Sequence, residues 1–155
     1  MKKKAILAIL LLSILLFAHS FKNSKKIDHQ ELFARAIMDY KRNESKNYPE
    51  ASKVSLKLTF YGVEEEENYT KVYVYQNFDL EDSGKNNISG SSFPLVYYFV
   101  KTDGNYTVES KKEPSDGAEN FGSMQQLFPK KILKRMNSPF GFFCIKNTVR
   151  LTEEL

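Results

Sequence analysis

The sequence predicts an α+β domain in which an N-terminal helix packs on a four-stranded antiparallel meander, followed by one or two short helices. Three observations predict this fold. An amphipathic helical pattern comes first, four segments of alternating polarity follow it, and an Asp-Gly pair joins the last two segments as a hairpin. Residues 28–155 form one domain in this interpretation, since about 135 residues suffice for one modest core.

The first twenty residues have the pattern of a secretory signal peptide, and residues 21–27 are expected to form a flexible leader. Lys2 to Lys4 make a cationic start, Ala5–Phe17 is an apolar run, and small residues precede the predicted cleavage point after Ser20. The apolar run is shorter than the roughly 20 residues that span a bilayer. We therefore expect an exported protein, with a membrane anchor through an uncleaved segment as the alternative.

The basic character of the chain belongs largely to that first segment. The chain holds 23 lysine and arginine residues against 19 aspartate and glutamate residues, and residues 1–20 contain three of the lysines and no acid. The remainder has 20 basic and 19 acidic side chains, a net charge of +1. A nucleic-acid partner is therefore not expected. The expected partner is a protein or a ligand of the cell envelope.

The helix is predicted to begin at Asp28 and to end near Arg42. Asp28 and Glu31 have the spacing of a capping box, and Ile27 is placed to pack on Leu32. A turn-rich stretch follows Arg42 and ends the helical pattern. The expected buried face consists of Leu32, Phe33, Ala36, Ile37 and Tyr40.

Two alternating segments predict the first hairpin. The strand "KVSLKLTFYG" turns its apolar side chains to one face, and the strand "YTKVYVYQNFDL" does the same. Between them, Glu64 to Glu67 are expected to form a charged hairpin loop. Residues 81–92, rich in Ser, Gly and Asn, are predicted to form the longest loop. The residues expected against the helix are Val54, Leu56, Leu58, Phe60, Val72, Val74 and Phe78.

The Asp103-Gly104 turn predicts the register of the second hairpin, because both central positions of such a turn favour positive φ. A one-residue slip would exchange the two faces of the strands. The expected cross-strand pairs on the helix face are Phe99 with Val108, Tyr97 with Ser110 and Lys101 with Tyr106. On the other face, the expected pairs are Tyr98 with Glu109 and Val100 with Thr107.

Pro129 predicts either two short helices, near residues 123–128 and 129–136, or one helix kinked between them. Proline disrupts a helix interior but suits a first turn. Ser123 and Gln126 have capping-box spacing. The last ten residues are ambiguous. The buried stripe is expected to contain Met124, Phe128, Ile132 and Met136.

The chain lacks the residue sets of common catalytic and cofactor sites. A Ser-His-Asp triad or a Cys-His pair would have to use His29, the one histidine after residue 20, and the first turn of a helix favours a solvated side chain. The single Cys144 excludes an intramolecular disulfide, and its apolar neighbours favour a buried thiol. No Cys/His zinc spacing, phosphate-binding glycine loop or EF-hand pattern occurs. We therefore predict no cofactor and no enzymatic activity.

Two acidic clusters raise the question of a cation site. Four consecutive glutamates, Glu64 to Glu67, diverge in an ordinary hairpin, which favours a solvated turn. A weak calcium site is the minor alternative for the second cluster, at the mouth of the predicted long loop. That cluster consists of Asp79, Glu81 and Asp82.

A basic cluster near the C-terminus also has two interpretations. Its side chains suit contact with an anionic cell-wall polymer or lipid headgroups. They also complement the dipole at a helix end and cover the polar side of an amphipathic helix, which is the interpretation we favour. The cluster consists of Lys130, Lys131, Lys134 and Arg135.

Tyrosines dominate the predicted sheet face that points away from the first helix. Tyrosine gives a large contact area at low entropic cost and is enriched at interfaces. The face is therefore a candidate binding surface, unless apolar residues near the C-terminus cover it. The tyrosines are Tyr61, Tyr73, Tyr75 and Tyr98. The candidate cover consists of Phe140, Phe142, Phe143 and Ile145.

One segment resembles a pattern in small uncharacterised exported proteins of Gram-positive bacteria and in extracytoplasmic parts of some BlaR-like membrane proteins. The shared features are a hydrophobic strand, a turn, a Tyr-x-Val strand, a second turn and a helix ending Leu-Phe-Pro. They correspond here to Val96–Val100, Asp103-Gly104, Tyr106–Val108, Pro114–Gly117 and Leu127–Pro129. The resemblance implies an extracytoplasmic setting and brings no catalytic residue. The order of elements is similar to cystatin-like and NTF2-like folds, and fold alone does not define function.

These observations favour an exported, non-enzymatic binding or accessory module at the cell surface. Two alternatives belong to other functional classes. One is a small enzyme on an NTF2-like scaffold, which requires a pocket holding acids or a histidine. The other is an immunity or inhibitor protein that acts by protein–protein contact.

Overall fold

The structure is a computed structural model that describes residues 29–117, 120–138 and 147–155. Helix α1 covers residues 29–45. It is followed by β1 (Ala51–Glu65), β2 (Thr70–Asp82), β3 (Asn87–Thr102), β4 (Asn105–Lys112), α2 (Asn120–Leu127), α3 (Lys130–Met136) and β5 (Thr148–Glu154). The strands of this part of the chain form one antiparallel sheet in the order β4-β3-β2-β1-β5. The predicted α+β fold is confirmed, and β5 is an addition to it.

The strongly alternating strands β1 and β2 place their apolar side chains against α1, as predicted. Val54, Leu58 and Val74 are fully buried, and α1 completes this cluster with Phe33 and Ile37. The sheet therefore has an α1 face, which carries the main core. We call its opposite side the α3 face, because α2 and α3 pack there.

Helix α1 is rotated relative to the predicted buried face. Phe33 lies 4.9 Å from Phe99 between ring centroids, and Ala34 and Met38 are fully buried in the core. Leu32 is 46% exposed, so its predicted burial is wrong. The helix also continues to residue 45 rather than ending near Arg42. The predicted capping contacts of Ile27 and Asp28 lie outside the described residues, as do the predicted signal peptide and leader.

The predicted loop over residues 81–92 is wrong, because β2 and β3 continue through most of it to a tight turn at residues 83–86. Asp82 holds this turn through its carboxylate, which accepts bonds from the Asn86 backbone N–H at 2.8 Å and the Asn86 amide at 2.9 Å. Polar side chains then pair across the strands. Ser92, for example, donates to the Asn77 side-chain oxygen at 2.6 Å.

The second hairpin has the predicted turn but contains a bulge, which changes part of the register. Three predicted pairs are confirmed next to the turn: Phe99 with Val108, Val100 with Thr107 and Lys101 with Tyr106. The register then shifts between Tyr98 and Phe99. Two predicted pairs are therefore wrong, since Tyr98 pairs with Ser110 and Tyr97 with Lys111. Glu109 is the extra residue, and such a bulge has no clear sequence signal here.

Pro129 separates α2 from α3 as predicted and occupies the N-cap position of α3. The predicted capping box is wrong, because Ser123 lies inside α2. Its hydroxyl accepts a bond from the Ser115 backbone N–H at 2.8 Å and donates to the Asn120 carbonyl at 2.9 Å. Phe128 and Ile132 are each 1% exposed and pack on the α3 face. These residues tie the C-terminal helices to the sheet.

Candidate binding site

The four predicted tyrosines share the α3 face, but α2 and α3 lie over much of it. Tyr73 is 2% exposed, with its ring 5.8 Å from that of Phe128 between centroids. Tyr61 and Tyr98 are partly buried in the same cluster, and Tyr75 bonds to Ser92 at 3.2 Å through their hydroxyls. The predicted cover by residues 140–145 lies outside the described residues. The tyrosine face as a binding surface stays a prediction.

A polar triad on the α3 face joins the sheet to α3. The Tyr73 hydroxyl donates to Glu64 at 2.6 Å, and Lys131 lies 2.8 Å from the other oxygen of the same carboxylate. Lys131 first and Tyr73 second hold the pKa of Glu64 below its usual value. Burial and the bond to Glu64 raise the pKa of Tyr73. Glu64 is therefore a half-buried strand residue rather than part of the predicted solvated turn.

The basic cluster divides between contacts with the sheet and solvent. Lys131 pairs with Glu64, and Arg135 donates to the Tyr61 carbonyl at 2.8 Å. Lys134 and Arg135 occupy the last turn of α3, where they also complement the helix dipole. These two contacts give the cluster a structural role in attaching α3.

The second acidic cluster has separate polar partners for its three carboxylates. Asp79 accepts a bond from Asn87 at 3.2 Å, and Glu81 pairs with Lys53 at 2.8 Å. The Asp82 carboxylate holds the tight turn described above. Within residues 29–117, 120–138 and 147–155, no group of three or more His, Cys, Asp or Glu residues is placed to hold a metal ion.

A cavity of about 320 Å³ opens at the C-terminal end of α1, and we call it the α1-end cavity. It lies between that helix end and the α1 face of the sheet, where β4 has already ended. Its floor comes from β2 and β3, and one side chain of β4 reaches its wall. Its charged, hydroxyl and aromatic lining includes Lys41, Glu44, Lys111, Ser91, Phe78 and Phe93.

Lys41 is the unusual group of this cavity, because its charged side chain is buried. The residue is 4% exposed, its ammonium lies 4.7 Å from the centre of the Phe78 ring, and it donates to Glu44 at 2.7 Å. Burial is the largest influence on Lys41 and lowers its pKa, although the bond to Glu44 opposes this. An ammonium that is desolvated yet lines a cavity is a typical mark of a binding site.

Glu44 bridges Lys41 to a second lysine. Lys111 lies 3.2 Å from the Glu44 carboxylate and 3.1 Å from that of Glu113. Burial alone would raise the pKa of Glu44, but the bonds and charges of the two lysines outweigh it and lower that pKa. Burial lowers the pKa of Lys41, with the Lys111 charge adding to the effect, whereas the bonds and charges of the two lysines lower the pKa of Glu44. Two lysines and one glutamate therefore line the cavity, and Glu113 pairs with Lys111 beside it.

Aromatic rings and hydroxyls complete the wall. Phe78 and Phe93 offer apolar surface, and Ser91 is the cavity end of a buried polar chain. In that chain, Tyr97 donates to the Gln76 oxygen at 2.5 Å, and the Gln76 amide lies 3.5 Å from the Ser91 hydroxyl. The site therefore combines apolar surface from the two rings with several polar groups, and small-ligand sites use such groups to fix the orientation of a ligand.

A second cavity, of about 380 Å³, lies at the opposite end of α1. His29, Tyr61, Glu65 and Arg135 contribute to its lining. His29 is exposed, as predicted for the first turn of the helix. Arg135 already donates to the Tyr61 carbonyl, so its guanidinium is partly committed.

The residues of the α1-end cavity were not among the predicted site residues. A signal for Lys41 does exist in the sequence, because it follows the buried Ala34, Ile37 and Met38 at helical spacing. A lysine on the buried stripe of a helix, with a glutamate three residues later, indicates a paired buried charge. Lys111 carries no comparable signal, since its position depends on the bulge in β4.

Comparison of the chain with protein-family models, with curated proteins and with solved structures gave no match. The resemblance to exported Gram-positive proteins and the cystatin-like or NTF2-like description stay predictions. Among the described residues, no helix combines the length and the apolar character needed to cross a membrane.

Proposed function

We propose that this chain is an exported, non-enzymatic binding module whose site is the α1-end cavity, and that the site takes a carboxylate-bearing ligand. The observation that carries the proposal is Lys41, a lysine 4% exposed that lines an open cavity of about 320 Å³. Pockets that bind small ligands span about 300–1,000 Å³ and use a few placed polar groups. This cavity fits the lower end of that range.

The donors of Lys41 support a carboxylate ligand. Lys41 and Lys111 share the single carboxylate of Glu44, and Glu113 contacts Lys111 alone. A lysine ammonium has three donors, and Lys41 uses one of them on Glu44. A ligand carboxylate can therefore add a charge-assisted bond to Lys41 while its apolar body contacts Phe78 and Phe93.

Export is the second part of the proposal, and it rests on residues 1–20 and on the resemblance. Expression in a Gram-positive host, followed by N-terminal sequencing of the protein in the medium and envelope fractions, tests it. A new N-terminus at Phe21 in the medium supports export with cleavage. Protein that retains Met1 in the membrane fraction would contradict cleavage and favour the alternative, an uncleaved membrane anchor.

The binding site is tested with sodium benzoate and its neutral isostere benzamide, followed by two-dimensional NMR of the ¹⁵N-labelled protein. We expect benzoate to shift amides at the end of α1 and in β3 saturably, and benzamide to leave them unchanged. Lys41→Met should abolish the response. The matched control is Lys57→Met, because Lys57 pairs with Asn77 and Arg150 away from the cavity. Equal responses to the two compounds, or binding retained in Lys41→Met, would reject the site.

The second cavity favours the enzyme alternative, because its lining combines His29, Glu65 and Arg135. These groups can in principle serve acid–base chemistry. Incubation of the protein with pooled ester, glycoside and peptide substrates tests this alternative. Turnover that disappears in His29→Ala would favour the enzyme over the binding module.

A further inference from the structure

The outer edge of β3 is unpaired along half of its length. β3 has 16 residues and β4 has 8, and β4 pairs with residues Val96–Thr102. Residues 87–95 have β2 on one side and no strand of the described chain on the other. Such an edge presents free backbone donors and acceptors to another strand.

Pro94 shows which backbone groups face outward. Proline has no N–H, so in a paired strand it belongs where that group would point away from its neighbour. Pro94 lies opposite Tyr75 of β2, and direction alternates along a strand. The N–H groups of Gly90 and Ser92 therefore point outward with Pro94, and the odd-numbered residues bond to β2. The free edge offers these donors and the adjoining carbonyls.

The position that β4 vacates beside β3 runs along the α1-end cavity. Lys111, in the last part of β4, pairs with Tyr97 and lines the cavity. Beyond it, Ser89, Ser91 and Phe93 of β3 also line the cavity. A strand that continued the line of β4 would turn alternate side chains towards Lys41 and Lys111.

We propose that an extended acidic segment of a partner protein adds to β3 at residues 87–93, antiparallel to β3 and in line with β4, and inserts a carboxylate side chain into the α1-end cavity. This inference rests on the proposed function of the cavity and names the class of its ligand. Strand addition of this kind takes affinity from main-chain bonds and specificity from alternate side chains.

The lack of charged side chains on this edge favours an acidic segment of a partner protein. Residues 87–95, "NISGSSFPL", contain no charged side chain, whereas exposed edges are commonly protected by lysine or other charges. The nearby cavity supplies the buried Lys41 ammonium, which has donors left beyond its bond to Glu44 and complements an acidic residue. The alternating hydroxyls and apolar groups of β3 place no like charge against such a segment.

The test uses an acetylated, amidated eight-residue peptide that alternates threonine and valine and carries one central aspartate. Calorimetry of this peptide with the protein should show binding that weakens at least tenfold when asparagine replaces the aspartate. Lys41→Met should weaken it equally. In the proposed orientation the backbone N–H of the aspartate points away from β3, as that of Lys111 does. The backbone N–H groups of the two flanking residues point towards β3.

Two N-methylated forms of the peptide separate edge pairing from cavity binding. Methylation of the residues flanking the aspartate should abolish binding, whereas methylation of the residues two positions away should leave it unchanged. On the protein, Ser92→Pro removes an outward N–H, and Ser92→Ala is the control that loses only the hydroxyl contacts. Ser92→Pro should reduce affinity at least tenfold relative to Ser92→Ala.

The outcomes distinguish the two proposals. Benzoate binding together with equal affinity for both methylated peptides would overturn strand addition and leave the cavity as a small-ligand site. If the unmodified protein binds neither benzoate nor the peptide, the α1-end cavity is not the binding site and both proposals fail. A dimer in sedimentation that Ser92→Pro abolishes would assign the edge to a second copy of the chain and overturn the peptide partner. If Ser92→Pro fails to fold, the methylated peptides still decide.

Discussion

The two faces of the sheet differ in how much of the fold depends on them. In the described chain, the cluster on the α1 face joins sixteen buried residues from α1 and four strands, whereas the cluster on the α3 face has four. A continuous cluster of the first size defines the domain, and the smaller one resembles a satellite. We infer that the α1 face specifies the fold and the α3 face attaches a cover to it.

The C-terminal cover is held by few contacts. α2 has no buried residue, and α3 has one, Ile132. Phe128, between the helices, supplies the other apolar anchor, and Lys131 and Arg135 add polar contacts to Glu64 and the Tyr61 carbonyl. Regions with few buried contacts open at lower free energy than the global core. The part of the predicted tyrosine face around the buried Tyr73 is therefore accessible to a ligand only if this cover opens.

The largest expected effect comes from removing one buried aromatic ring from each face and comparing the two variants. Phe99→Ala removes a fully buried ring from the α1 cluster and should lower the free energy of unfolding by about 3–5 kcal/mol. Phe128→Ala removes an equally buried ring from the α3 face but should mainly undock α2 and α3. Hydrogen exchange by mass spectrometry should show faster exchange throughout Phe99→Ala, and only near residues 120–136 in Phe128→Ala. Global acceleration in both variants would contradict the comparison.

The next effect concerns the buried pair on the α1 face. Glu44→Gln leaves the Lys41 ammonium buried without its anion and should cost about 2–3 kcal/mol, below the figure for a fully buried pair because water reaches Glu44. Lys41→Met removes the desolvated charge, and Glu44 keeps Lys111, so stability at pH 7 should equal or slightly exceed wild type. Urea unfolding measures both.

The pH dependence of Lys41→Met follows from the lowered pKa of Lys41. The fold disfavours the charged form, so Lys41 destabilises wild type at pH values below its folded pKa, and this penalty disappears as the pH rises towards the usual 10.5. Any advantage of Lys41→Met should therefore shrink between pH 7 and pH values above 10.5. The exposed Lys46→Met is the matched control for the loss of one lysine charge on the surface. A growing advantage at high pH would contradict the assigned cause.

The sequence predicts the α1 face well because its signals are local and periodic. Val54, Leu56, Leu58 and Phe60 alternate without interruption, and their strand and buried face are confirmed. The Asp103-Gly104 turn likewise occurs as predicted, with Asp103 at φ 52° and Gly104 at φ 84°. Strict alternation and a two-residue turn each restrict the backbone within a few residues, so no tertiary information is needed.

The predictions that fail depend on contacts between distant segments. Residues 81–92 look like a loop by composition, yet cross-strand bonds such as Ser92 to Asn77 give these polar residues partners in a sheet. The buried face of α1 packs against residues that are remote in sequence, as Phe33 does against Phe99. The α1-end cavity depends on Lys111, whose pairing with Tyr97 requires the bulge at Glu109. Single-sequence patterns carry little information about such pairings.

A smaller effect tests how closely α3 approaches the sheet. Gly62 lies beneath α3, and a Cβ there would sit 2.6 Å from the Ile132 Cδ1 atom. Because Ile132 is 1% exposed and cannot easily move aside, Gly62→Ala should cost about 1–2 kcal/mol through overpacking. Adding Ile132→Val removes the clashing methyl group and should recover part of the loss, as judged by thermal unfolding. If the two substitutions simply add, the proposed contact is absent.

The smallest effect is expected on the α3 face. There the Tyr73 hydroxyl donates to Glu64, whereas on the α1 face the buried Lys41 ammonium donates to Glu44. Tyr73→Phe removes the 2.6 Å bond to Glu64 and should cost about 1 kcal/mol at pH 7. The pKa of Glu64 is lowered from 4.5, so the ionised carboxylate stabilises the fold above that pH, and this contribution is lost as the pH falls through the folded pKa. The difference between wild type and Tyr73→Phe should therefore narrow in acid. Tyr75→Phe is the matched control, because its hydroxyl bonds to Ser92 rather than to a carboxylate, and it should leave the acid dependence of urea unfolding unchanged. An equal loss in both variants would show that the bond to Glu64 contributes no more than the hydroxyl contact of Tyr75 with Ser92.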